Sequence, residues 1–162
     1  MNGKKKVMIL GASRYYIKSI MAAKEMGCKV IVTDKNQDAE GFKNADFFEA
    51  VDITNIQASI EVAKKYHIDG VVAVNDFGVR TAAAIAESLS LPGIGSDVAK
   101  YATSKAWMRR IWEEADVPSA KFEIIHSVKD AYEAVDRLGM WPLIVKPADS
   151  RGGASRGVSK IQ

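Results

Sequence analysis

Val7-Met8-Ile9-Leu10-Gly11-Ala12-Ser13 is a continuous apolar run that stops at a turn of small residues. Four apolar residues without alternation suit a strand buried on both faces, as in a parallel sheet. The same unit recurs downstream. Val30-Ile31-Val32 leads to Asp34, Phe47-Phe48-Glu49-Ala50-Val51 makes a third short strand, and Gly70-Val71-Val72-Ala73-Val74 ends at Asn75-Asp76. Helical stripes lie between these strands. Ile17, Ile20, Met21 and Ala22/Ala23 form the first, closed by Gly27. Ile56, Ile60, Ala63 and Tyr66 form the second, with capping residues between Asp52 and Asn55. Val79, Ala82, Ala83, Ala86 and Leu89 form the third, and Pro92-Gly93-Ile94-Gly95 is a turn or a very short fifth strand. Alternating strands and helices at this pitch predict an α/β fold, a Rossmann-like doubly wound parallel sheet over residues 1–95.

Residues 96–118 then predict linking helices. Asp97–Tyr101 is a short one; Thr103 or Ser104 caps the next, with Lys105 in its first turn and Met108, Ile111, Trp112 and Ala115 as its buried stripe. Residues 119–162 predict an α+β piece. Phe122-Glu123-Ile124-Ile125 is expected as a strand. Ser127-Val128-Lys129-Asp130 has the form of a capping box. A stripe of Val128, Ala131, Tyr132, Val135 and Leu138 follows it, and Gly139 closes the helix. Leu143-Ile144-Val145, held between Pro142 and Pro147, is a strand that ends at Lys146. A loop with Ser150, Arg151, Gly152, Gly153, Ser155 and Arg156 comes next, and Gly157–Ile161 alternates as a returning strand. A lysine at a strand end facing a glycine-rich basic loop suits an anionic ligand, because glycine lets backbone N–H groups approach phosphate oxygens. The P-loop pattern is absent.

Composition is that of an ordinary globular protein, 48% apolar and 27% charged. The net charge of +3 is too small to argue for nucleic acid or a membrane surface as partner. The single cysteine, Cys28, forms no intramolecular disulfide, and at the start of an apolar strand it is expected to be buried and inert. No apolar run approaches the roughly 20 residues of a membrane span, and the basic start, Met1 to Lys6, is followed by too short an apolar run for a leader. A cytoplasmic location is expected. His67 and His126 stand apart from any metal-ligand spacing, and Trp107, Trp112 and Trp141 fit core and interface positions.

The order of these parts resembles the ATP-grasp ligases. A Rossmann-like half, a lysine-bearing helix start at Thr103-Ser104-Lys105-Ala106-x-Met108, a strand ending Val145-Lys146-Pro147 and a glycine-rich loop follow one another as in that superfamily. The superfamily includes biotin carboxylase, carbamoyl-phosphate synthase halves, purine-pathway ligases and amino-acid ligases. The resemblance implies a pre-ATP-grasp domain at 1–95 and the first α+β subdomain of the ATP-grasp fold after it. It implies that Lys105 and Lys146 reach the ATP phosphates and that Ser150, Arg151, Gly152, Gly153, Ser155 and Arg156 cover them. It implies a parent enzyme that uses ATP and Mg2+ to join a small-molecule carboxylate to an amine or thiol through an acyl-phosphate. The family's second half, which carries the magnesium ligands, is not among these 162 residues. The expectation is therefore a piece of a larger ligase, with no catalytic or metal residue of its own, inactive alone and able to self-associate as a dimer through an uncovered apolar face.

Ligands of open α/β sheets bind outside the carboxyl ends of the strands, which makes Gly11, Ala12, Ser13, Asp34, Asn75 and Asp76 candidates for the acceptor substrate. Each has an ordinary alternative. Gly11-Ala12-Ser13 can be a plain tight turn, and Asn75-Asp76 serves equally as a cap for the helix starting near Phe77. Gly11 with Asp34 also imitates a dinucleotide fingerprint, the mark of an NAD-binding oxidoreductase domain, but Ser13 and Tyr16 stand where its second and third glycines belong. A non-catalytic interaction module that keeps the fold is the remaining alternative.

Overall fold

The computed structural model describes residues 3–149 and the backbone of 159–161. The chain divides into two compact units, residues 1–99 and 100–162.

The first unit is a four-stranded, all-parallel sheet in the order β3-β2-β1-β4, formed by β1 (Lys6–Leu10), β2 (Lys29–Thr33), β3 (Phe47–Glu49) and β4 (Gly70–Ala73). The central strand β1 pairs Val7 with Val30 on one side and with Gly70 on the other. Its side chains alternate between two cores, which is why its sequence shows no polar alternation. Met8 and Leu10 join Ile31 under α2 (Ile56–Tyr66) and α3 (Val79–Ser88), with Val62, Ala63 and Ile85 from the helices. Ile9 joins Val30 and Val32 on the opposite face under α1 (Ile17–Glu25), which contributes Ile20, and under a 3-10 turn at Glu40–Asn44, which contributes Phe42. Met8, Leu10, Ile20, Ile31 and Ile85 are fully enclosed, and each contributes about 1.5–3 kcal/mol by leaving water.

The helix ends follow their cap chemistry. Asn55 accepts the Ala58 N–H through its side chain at the start of α2, and His67 closes that helix in the left-handed region, with φ 50°. Asp46 sits at the mouth of β3 and accepts from Lys29 Nζ at 2.8 Å and from the Val30 N–H at 2.9 Å. Residues 92–95 form no strand; Gly95 turns there with φ 78°.

In the second unit, α5 (Lys105–Glu114) follows the end of α4 (Ser96–Thr103), and α6 (Val128–Leu138) precedes β5 (Leu143–Val145), which pairs antiparallel with β6 (Ser159–Ile161). The capping box is present: Ser127 Oγ accepts the Asp130 N–H at 3.1 Å and donates to Asp130 Oδ1 at 2.7 Å, and Gly139 ends α6 at φ 58°. Three expectations change. Phe122–Ile125 forms no strand, because no described strand offers it an edge; Glu123 there instead takes both an Nε and an Nη bond from Arg137. The stripe of α5 is only partly enclosed, with Trp112 37% exposed, and on α6 Val128 and Tyr132 face out while Ala134 is buried. A unit this small has little interior to offer such residues.

Candidate functional site

The carboxyl ends of β1, β2 and β4 gather the first group of candidate residues. Gly11 leaves β1 with φ 114°, a conformation glycine adopts freely, and its N–H donates to the Thr33 carbonyl at 2.8 Å. A Cβ at Gly11 would stand 3.0 Å from both Asn75 Nδ2 and the Tyr16 ring. Tyr16 and Asn75 thus pack onto the turn where a dinucleotide fingerprint would leave room.

Asn75 uses both ends of its amide on backbone. Its Nδ2 donates to the Leu10 carbonyl at 2.9 Å, and its Oδ1 accepts the Gly78 N–H at 3.0 Å just ahead of α3. It is both a helix-entry residue and a tie between the ends of β1 and β4. Asp34 accepts the Ala12 N–H on Oδ2 and the Asn36 N–H on Oδ1, each at 2.9 Å. Ala12 is fully buried, and its carbonyl accepts the Gly41 N–H at 2.7 Å. Ser13 begins the 3-10 turn Arg14–Tyr16 without capping it, and its Oγ is enclosed with no hydrogen-bond partner.

An open cleft of about 290 Å³ lies beside this turn, lined by Ser13, Arg14 and Tyr15 on one side and by Asp34, Asn36 and Glu40 on the other. Of the six candidates at the sheet edge, Ser13 and Asp34 line it. Arg14, the one cation of the lining, lies 5.0 Å from the Tyr15 ring centroid and donates to its Oη at 3.0 Å. Arg14, Asn36, Glu40 and Gly41 were not singled out from the sequence. Arg14 directly follows Ser13 in the turn, which was the available signal for it. Gly41 carried none, since Lys35–Asn44 has the composition of a plain surface loop.

The second unit holds the lysines. Lys105 is the first residue of α5, and Lys146, exposed, directly follows β5. The first N–H groups of a helix have no partner inside it. That of Lys105 donates to the carbonyl of Ala148 at 2.8 Å, so the helix start and the segment after β5 are joined by a backbone bond. The positive end of the α5 dipole and two ammonium groups are therefore carried on adjoining segments, a setting that favours an anion. Ser150, Arg151, Gly152, Gly153, Ser155 and Arg156 lie outside the described residues. Among the described residues no group of three or more His, Cys, Asp or Glu is placed to hold a metal ion, and no helix is long and apolar enough to cross a membrane.

Residues 20–93 match the ATP-grasp N-terminal domain. Over 157 residues, 94% of this chain and 39% of the relative, the sequence is 29% identical to a formate-dependent phosphoribosylglycinamide formyltransferase from Synechococcus sp. (strain CC9605). It is 30% identical to the carbamoyl phosphate synthase large chain of Clostridium acetobutylicum over 88% of this chain and 14% of that one. Among solved structures, N5-carboxyaminoimidazole synthetase from Staphylococcus aureus complexed with ADP superposes with a TM-score of 0.82 at 19% identity, covering 99% of this chain and 42% of the other, which establishes the likeness of fold. The chain spans well under half the length of these relatives.

Proposed function

From a chain that belongs, over residues 20–93, to the ATP-grasp N-terminal domain family, we propose the N-terminal region of an ATP-dependent ligase that joins a small-molecule carboxylate to an amine or thiol through an acyl-phosphate. One observation carries the reading for the second unit. The Lys105 N–H to Ala148 bond ties together the two lysine-bearing segments expected to meet ATP phosphates. Phosphoryl transfer is chiefly positioning and charge neutralisation, and these residues are suited to that. In this reading Lys105 and Lys146 take the phosphates and the stretch Ser150 to Arg156 closes over them. Mg2+ assists in the parent enzyme, but the described residues do not supply its cage. The cleft beside Ser13 and Asp34 takes the acceptor substrate. The chain alone is not catalytic, and its setting is cytoplasmic. The exposed Val128, Tyr132, Trp141 and Ile144 favour self-association; sedimentation as a monomer at high concentration would remove that part.

Calorimetric titration with Mg·ATP, beside NADH, tests the proposal. Weak ATP binding that disappears in Lys146→Ala and in Lys105→Ala is the expected result. Binding of NADH alone overturns it, and binding of neither nucleotide removes the phosphate half-site from this chain.

A further inference from the structure

The N–H and carbonyl of the buried Ala12 both have partners, as do the Leu10 carbonyl and the Gly11 N–H, and these partners come from distant segments. The Leu10 carbonyl takes Asn75, the Gly11 N–H goes to Thr33, the Ala12 carbonyl takes Gly41, and the Ala12 N–H goes to Asp34. Asp34 is the only side chain in this set that reaches both walls of the cleft. Its Oδ2 holds Ala12, next to Ser13 and Arg14; its Oδ1 holds Asn36, whose own Oδ1 takes the Asp38 N–H at 3.0 Å. Backbone N–H to carboxylate bonds are charge-assisted and among the stronger kind. An enclosed N–H such as that of Ala12 is costly to leave without an acceptor.

We propose that Asp34 is a positioning residue of the cleft and not a ligand contact. Its carboxylate fixes the turn Gly11–Ser13 and the loop 36–41 as two walls of one cleft. Ligand recognition then falls to Arg14 and Glu40 on the facing walls. The inference rests on the reading of this cleft as the acceptor site, but its test involves no nucleotide.

The experiment is amide NMR on the whole chain. In the wild type, a through-hydrogen-bond coupling between the Ala12 nitrogen and the Asp34 carboxyl carbon is expected. In Asp34→Ala, both the Ala12 and Asn36 amides exchange at least about tenfold faster, since each loses its acceptor. In Asp34→Asn, which has a single side-chain oxygen, at least one of the two does so. The amides of Val30 to Val32 keep their protection, which separates this effect from general loosening of the sheet. Ser13→Ala leaves both amides as they were. Absence of the coupling, or unchanged exchange at Ala12 and Asn36 in Asp34→Ala, overturns the proposal and returns Asp34 to the ligand-contacting groups. Should neither Asp34 variant fold, the wild-type coupling decides alone. Failure of ATP to bind leaves this result untouched, and its failure leaves the ligase reading standing.

Discussion

Gly41 donates its N–H to the Ala12 carbonyl at 2.7 Å, and a Cβ on Gly41 would stand 2.6 Å from that same oxygen and 3.0 Å from Ile20 Cδ1. The loop closes on the turn only because residue 41 has no side chain. Gly41→Ala is expected to lower stability by about 1–3 kcal/mol, since backbone must shift to admit the methyl. Gly70→Ala is the control, where the added methyl meets nothing within 4 Å. Urea midpoints of the two variants should separate clearly; equal midpoints would mean that the loop yields without strain.

Asp46 links acid to stability. The Lys29 ammonium, donating to its carboxylate, and then the Val30 N–H hold its pKa below the ordinary value, against a smaller opposing effect of burial. A carboxyl with a lower pKa folded than unfolded stabilises the fold while it is ionised. That stabilisation is complete above the ordinary aspartate value of about 4 and is lost as pH falls through the lower, folded value. Asp46→Asn should therefore cost about 1–2 kcal/mol at neutral pH and progressively less below pH about 4. Thermal melts of both proteins across that range check it, and a gap that stays constant in acid would contradict it.

Thr33 is fully buried at the end of β2, and its hydroxyl has no partner. Valine has nearly the same shape without the polar atom. Thr33→Val should raise stability by about 1 kcal/mol, because an unmet buried hydroxyl carries its full desolvation penalty. A loss of stability in chemical denaturation would show that the hydroxyl is served by bound water.

His67 closes α2 at φ 50° and ψ 60°, with its side chain exposed. A left-handed backbone strains any residue with a Cβ. His67→Gly is expected to stabilise the first unit by about 0.5–1 kcal/mol. Calorimetric melting would reveal it, and an unchanged or lower midpoint would refute it.

The first unit was legible in the sequence because its signals are local. Val7–Leu10, Val30–Val32 and Gly70–Val74 are apolar runs with turn residues behind them, and the stripes of α2 and α3 have helical spacing. Ser127 and Asp130 announced a cap, and Gly139 its end. Phe122–Ile125 misled for the same reason: it has strand composition, but a strand also needs an edge to pair with, and composition does not supply one. The stripe on α6 had the right period, yet period does not say how much interior a unit has, so Val128 and Tyr132 ended outside. At the cleft, position after a strand pointed to Ser13 and Asp34. That Asp34 would hold the Ala12 amide, or that Gly41 would close on the Ala12 carbonyl, depends on contacts across 20 to 30 residues of sequence, which periodicity does not register. The stretch Ser150 to Arg156, read as the phosphate cover, lies outside the described residues.

The strand order also sets a timetable. β1 precedes its neighbours in the chain but sits between β2 and β4 in the sheet. During synthesis its first ladder can form once Thr33 is out, while the other must wait for Gly70–Ala73. At about 5–20 residues per second, that interval lasts roughly 2–8 s. Throughout it the earliest and most apolar strand of the unit keeps an open edge at the ribosome exit, where holding chaperones and premature pairing compete for it.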